Sequence, residues 1–126
     1  MHSLVLYGIP NCDTVKKART WLQEQGIAFT FHDFKKNGLD HATIQHWLQH
    51  KDLDILINRK GTTWRALTDE QKASVSDVDA AIALMIASPS VIKRPVLQMH
   101  TGSAASATTS HIEVGFSAQQ YQPLFK

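Results

Sequence analysis

The sequence predicts an α/β fold: strand–helix–strand first, helices through the middle, then two strands and a closing helix. Three observations carry that expectation. The apolar run Leu4-Val5-Leu6-Tyr7 and the alternation of Ile27, Phe29 and Phe31 flank a helical stripe, giving β-α-β in the first 33 residues. The stretch from Asp40 to Pro89 carries helix caps and 3.6-residue periodicity. Beyond Pro95, two strand-like runs precede a short helical terminus.

Each element has a local reason. Gly8 and Pro10 end the first strand. Val15, Ala18 and Leu22 fall on one helical stripe with Trp21 beside it, and Gly26 stops that helix. Asp40 can cap a helix carrying Ile44, Trp47 and Leu48, and an apolar stretch continues over residues 53–56. Thr68-Asp69-Glu70-Gln71 has the form of a capping box. Asp77 opens the clearest helix, with Val78, Ala81, Ile82, Met85 and Ile86 as its apolar face and Pro89 as its end. Val96-Leu97-Gln98-Met99 and Ile112-Glu113-Val114-Gly115 read as paired strands, and Ser117 starts the last helix. The small-residue run 101–110 reads as a flexible, lengthened hairpin loop. The expectation is one domain over 1–126, with a helical insertion at about 40–88.

Composition bounds the function. The chain is 126 residues, 43% hydrophobic and 19% charged, ordinary for a soluble globular protein. A formal charge of +2 gives no reason to expect nucleic acid or a membrane surface as partner. No apolar run approaches the roughly 20 residues of a membrane span, and the first residues lack the basic start of a signal peptide. One cysteine cannot form an internal disulfide, so the cytoplasm is the expected compartment.

That cysteine carries the chemistry. Cys12 follows the first strand at the entrance to the first helix, where unsatisfied N–H groups and the helix dipole favour a thiolate. The thiolate is the nucleophile, and the same N–H groups can cradle an oxyanion. A cysteine can also be a small buried apolar residue, but strand, glycine, proline, cysteine, helix is the arrangement of a reactive one. Asp13 suits the helix N-terminus, Thr14 is placed to cap or to donate to the thiolate, and Lys16 and Lys17 add positive field. His46 and His50 stand four apart with His41 nearby. Without a third ligand at metal spacing they read as a solvated helix face, and no metal is expected. Trp21, Trp47 and Trp64 read as packing residues, and Gly61-Thr62-Thr63 as a polar loop at the site rim.

The segment Tyr7-Gly8-Ile9-Pro10-Asn11-Cys12-Asp13-Thr14-Val15-Lys16-Lys17-Ala18 resembles the active-site segment of the ArsC-type arsenate reductase family. Asn58-Arg59-Lys60-Gly61, Ser90-Val91-Ile92-Lys93-Arg94-Pro95-Val96 and Val114-Gly115-Phe116 match further along, in consistent order. Within that family the chain is most similar to the YffB-like subgroup, with the Spx transcriptional regulators as cousins. The resemblance implies a thioredoxin-like fold, βαβ then ββα, with a helical insertion in the middle. It makes Cys12 the catalytic nucleophile and Asn11, Thr14, Arg59, Arg94 and Pro95 the substrate- or oxyanion-binding set, with a cis Arg94-Pro95 bond. Guanidinium groups suit that role, staying charged and binding oxyanions bidentately.

Two departures shape the function. Where the arsenate reductases carry a third arginine this chain has Phe116, which weakens the clamp on a divalent oxyanion and argues against arsenate as substrate. Where Spx carries the second cysteine of its Cys-x-x-Cys switch, this chain has Val15. A single cysteine needs a second thiol from outside, and glutathione is the abundant cytosolic one. The resulting expectation is a monomeric, glutathione-dependent thiol reductase acting on a small oxyanion or disulfide. Glutathione is its co-substrate, no cofactor is bound, and glutaredoxin is a possible partner. A non-catalytic, Spx-like regulator that binds a protein such as RNA polymerase is the alternative left open here.

Overall fold

The computed structural model describes residues 2–101 and 108–125. The chain divides into two compact units, Met1–Phe34 with Arg94–Lys126, and Lys35–Lys93. The inserted unit therefore begins and ends about five residues outside the expected 40–88.

The first unit is built on a four-stranded sheet. Strand β1 (His2–Gly8) leads to helix α1 (Asp13–Glu24) and strand β2 (Thr30–Asp33). Strands β3 (Val96–Thr101) and β4 (Thr108–Val114) return from the far end of the chain. The order is β2-β1-β3-β4. β1 runs parallel to β2, pairing Val5 with Thr30 and Gly8 with Asp33, as a helical crossover requires. β3 pairs antiparallel with both β1 and β4, setting Leu6 opposite Leu97 and Val96 opposite Val114. This is the thioredoxin-like βαβ–ββα arrangement.

One core holds this unit together. Leu4 and Leu6 of β1, Ala18 and Leu22 of α1, Leu97 and Met99 of β3, and Tyr121 form a buried cluster. Val15, Ala18 and Leu22 of α1 are fully buried, so the predicted stripe is the buried face. Gly8 makes room for this helix: a Cβ there would come within 2.7 Å of a Val15 methyl.

The structure corrects two strand boundaries. Ile27 and Phe29 precede β2 rather than starting it. Gly26 takes a left-handed φ of 70°, and the Ile27 amide donates to the Leu22 carbonyl at 2.9 Å. That amide closes the helix in a Schellman turn, while Ile27 and Phe29 pack on the core without pairing. At the other end, Thr101 belongs to β3 and Thr108, Thr109 and Ser110 to β4, shortening the expected loop from both sides. Its remainder, residues 102–107, lies outside the described residues. Gly115 leaves β4 with φ 80°, and its amide donates to the Pro95 carbonyl at 2.8 Å. Ser117 caps the last helix, accepting from the Gln120 amide at 3.0 Å.

The second unit is helical. After α2 (Phe34–Asn37), which leaves the sheet unit, come α3 (His41–Leu48) and α4 (Leu53–Leu56). Helices α5 (Thr62–Arg65), α6 (Asp69–Ser74) and α7 (Val78–Ala87) follow, then a 3₁₀ turn over Pro89–Val91. Helix α8 (Ala118–Tyr121) and a 3₁₀ turn over Gln122–Phe125 follow β4 in the sheet unit. The caps are those expected: Asp40 accepts from the Thr43 amide and Asp77 from the Ala80 amide. Thr68 and Gln71 close a reciprocal capping box. Gly61 is the N-cap of α5, so Gly61-Thr62-Thr63 enters a helix rather than a loop. The α7 stripe is rotated from expectation. Ala81, Ile82, Leu84 and Met85 are buried, whereas Val78 and Ile86 are exposed. No helix among the described residues is long and apolar enough to cross a membrane.

Candidate active site

Cys12 is the N-cap residue of α1, with extended backbone (φ −99°, ψ 125°). Its carbonyl accepts from the Lys16 amide at 2.9 Å, which fixes the cysteine to the first helical turn. The side chain is half-buried and is a free thiol. The sulfur closes no regular capping hydrogen bond. Its protonation is nevertheless set by its neighbours. Partial burial is the largest single influence and pushes the thiol pKa up. The Val15 amide, the Arg94 guanidinium by hydrogen bond and by charge, and the Thr14 amide act together in the opposite direction. They outweigh burial, so the pKa lies below the ordinary thiol value.

The expected residues divide between the two units. Cys12, Thr14, Arg94 and Pro95 share the sheet unit, and Arg94 and Thr14 both act on the sulfur. The Arg94-Pro95 bond is cis, as the resemblance implies. Asn11 is an exposed residue of the turn before α1. Arg59 belongs to the helical unit, where its guanidinium pairs with Asp54 at 2.7 Å and lies 5.5 Å from the Trp64 ring centre. His46 and His50 meet edge-to-face with ring centres 5.2 Å apart, and His41 faces Asp79 at 3.3 Å. No set of three or more metal-ligating groups occurs among the described residues.

One feature escapes a reading by residue type. The outer side of α1 carries a pocket of about 370 Å³, lined by Lys16, Lys17, Thr20, Trp21, Glu24 and Phe116. Trp21 does pack, against Tyr121 at 5.9 Å and Phe125 at 5.9 Å, but it also faces this pocket. The signal available in the sequence was the 16/17/20/21/24 spacing, which puts these residues on one helix face starting one turn past Cys12. Phe116, by contrast, joins them only through the fold.

The ArsC family profile matches residues 7–124, nearly the whole chain. The chain belongs to the ArsC family. The solved structure of a YffB protein is 44% identical, with a TM-score of 0.83, over 96% of this chain and 97% of its own. An uncharacterized protein from Haemophilus influenzae is 36% identical over 122 residues, covering 97% of this chain and 98% of itself. The global transcriptional regulator Spx from Streptococcus pneumoniae is 26% identical over 97 residues, 75% of this chain and 71% of its own length. Like other members of the ArsC family, this chain thus carries an arsenate-reductase-like scaffold, consistent with thiol chemistry at Cys12.

Proposed function

We propose that the chain is a thiol oxidoreductase in which the Cys12 thiolate opens a disulfide and an external thiol, glutathione, restores the cysteine. The observation that supports this most directly is the sulfur at the head of α1 with Arg94 and two backbone amides favouring its charged form. With a glutathionylated substrate the steps balance simply. The Cys12 thiolate attacks the glutathione sulfur, the Cys12–glutathione disulfide forms, and the substrate sulfur leaves as thiolate and takes a proton. A second glutathione gives up its proton and attacks the mixed disulfide. Oxidised glutathione leaves, and Cys12 returns as thiolate beside Arg94. Glutaredoxin could replace the second glutathione by the same exchange.

On this reading Arg94 stabilises Cys12 both as nucleophile and as leaving group, and Asn11, Thr14 and Pro95 belong to the substrate-binding surroundings. Such a cycle needs a reduced thiol pool, which supports a cytoplasmic setting. Arsenate is the weaker substrate, because Phe116 brings no charge to a dianion.

The relationship to Spx favours a second reading, a regulator that binds a protein partner. Val15, where the Spx switch has its second cysteine, carries no thiol, so a redox switch of that kind cannot form here. Glutathione-dependent turnover screened against arsenate, small disulfides and glutathionylated peptides separates the two. The oxidoreductase turns over disulfides and loses all turnover in Cys12→Ser. Absence of exchange with every substrate would leave the regulator.

A further inference from the structure

We propose that the pocket on the outer side of α1 is a specificity subsite. With disulfides other than glutathionylated ones, it receives the organic group whose sulfur Cys12 captures, and it favours a thiol with an aromatic-sized apolar body and a carboxylate close to the sulfur. The inference rests on the thiol-exchange reading of Cys12.

Position comes first. Cys12, Lys16 and Thr20 are spaced i, i+4, i+8, and a helix rises about 1.5 Å per residue. The near edge of the pocket therefore begins about 6 Å along the axis from the cysteine. A group joined to the Cys12 sulfur by a disulfide reaches it without leaving the surface of the sheet unit, to which every lining residue belongs.

One wall is apolar. Trp21 and Phe116 are half-buried, with ring centres 6.4 Å apart and planes tilted by 60°. Phe116 is held edge-on to Tyr121 at 4.8 Å, so this wall is backed by the core. A pocket of about 370 Å³ lies in the range that takes a small organic ligand.

Charge then orients the occupant. Lys16 and Lys17 stand at the end nearest Cys12, are exposed, and make no ion pair among the described residues. Glu24 stands two turns farther on, at the opposite end. A carboxylate near the sulfur meets the lysines, whereas one at the distal end meets Glu24. A thiol with a cation close to its sulfur would place that charge against the lysines. In the exchange, the substrate S–S bond breaks, the bond from Cys12 to the captured sulfur forms, and the other half leaves as a thiolate. An external thiol then loses its proton and attacks the captured sulfur, leaves with it as a disulfide, and returns Cys12 as thiolate.

Single-turnover exchange with three disulfide probes tests the subsite. Dithiobis(nitrobenzoate) is aromatic and anionic, dithiodipyridine is aromatic and uncharged, and hydroxyethyl disulfide is small and uncharged. Rates are compared as ratios within each variant, which cancels changes in Cys12 reactivity. Filling the pocket with Thr20→Trp should lower both aromatic rates relative to hydroxyethyl disulfide by about tenfold. Reversing charge with Lys16→Glu and Lys17→Glu together should lower the nitrobenzoate-to-pyridine ratio by a similar factor. Ratios unmoved by both sets of changes would overturn the subsite. Titrating the iodoacetamide reactivity of Cys12 in the unmodified chain checks the underlying reading separately, since an ordinary thiol midpoint there would remove the activated thiolate on which it rests.

Discussion

Opposing influences meet at the Cys12 sulfur: burial favours the neutral thiol, while Arg94 and the amides of Val15 and Thr14 favour the thiolate and prevail. The iodoacetamide rate should therefore titrate with a midpoint below about 8.5, and Arg94→Ala should raise that midpoint. A midpoint at or above 8.5 in the unmodified chain would contradict the activated thiolate. Because the folded pKa is the lower one, ionisation of Cys12 supports the fold fully above the unfolded pKa. That support disappears as pH falls through the folded value. Tyr121 poses a different residue problem. Its hydroxyl is buried without a hydrogen-bond partner among the described residues, and burial, with Glu113 adding to it, pushes its pKa up. Tyr121→Phe should leave stability unchanged or raise it by about 1 kcal/mol in urea denaturation. A clear loss would reveal a partner for the hydroxyl. Cys12 was legible in the sequence because its signal is local, a strand, a turn and a helix start within a few residues. The pairing of Arg59 with Asp54 was not, since either charge alone reads as a solvated side chain.

The elements obey local rules wherever a few neighbouring residues decide the outcome. Asp40, Thr68, Asp77 and Ser117 all cap as expected, because a cap bonds to an amide only three residues away. Thr68→Ala should cost about 1 kcal/mol, read as a fall of a few degrees in Tm. Gly8→Ala should cost more, roughly 1–3 kcal/mol, because the added methyl meets Val15 at 2.7 Å and α1 must shift. An unchanged Tm in Gly8→Ala would show that α1 can move freely on the sheet. Where packing decides, the sequence was less informative. Period-two spacing at Ile27 and Phe29 suits a strand, but the Ile27 amide is already committed to ending α1. Val78 and Ile86 match helical spacing, yet the buried stripe of α7 turns toward Leu84.

At the scale of the molecule, the fold brings Phe116 from the end of the chain against Trp21 on the first helix. If Phe116 takes the place of an oxyanion arginine, Phe116→Arg should raise arsenate turnover relative to disulfide exchange by at least about tenfold. A coupled assay with glutathione and glutaredoxin measures both. Robust arsenate turnover by the unmodified chain, indifferent to this change, would show that charge at position 116 is irrelevant.

The strand order carries a consequence for the life of the chain before it is complete. β1 lies between β2, its near neighbour in sequence, and β3, which is made only after the whole inserted unit. Arg94 arrives with β3. During synthesis Cys12 therefore emerges long before one of the groups that favour its thiolate, and a chain with neither Arg94 nor a folded α1 holds an ordinary thiol. The same holds for any copy that loses its sheet. Alkylation by iodoacetamide at neutral pH should slow toward the rate of a free cysteine as urea unfolds the protein, the reverse of what a merely buried thiol would show. Chains still being made, or already lost, are thus the ones least exposed to capture by cellular disulfides.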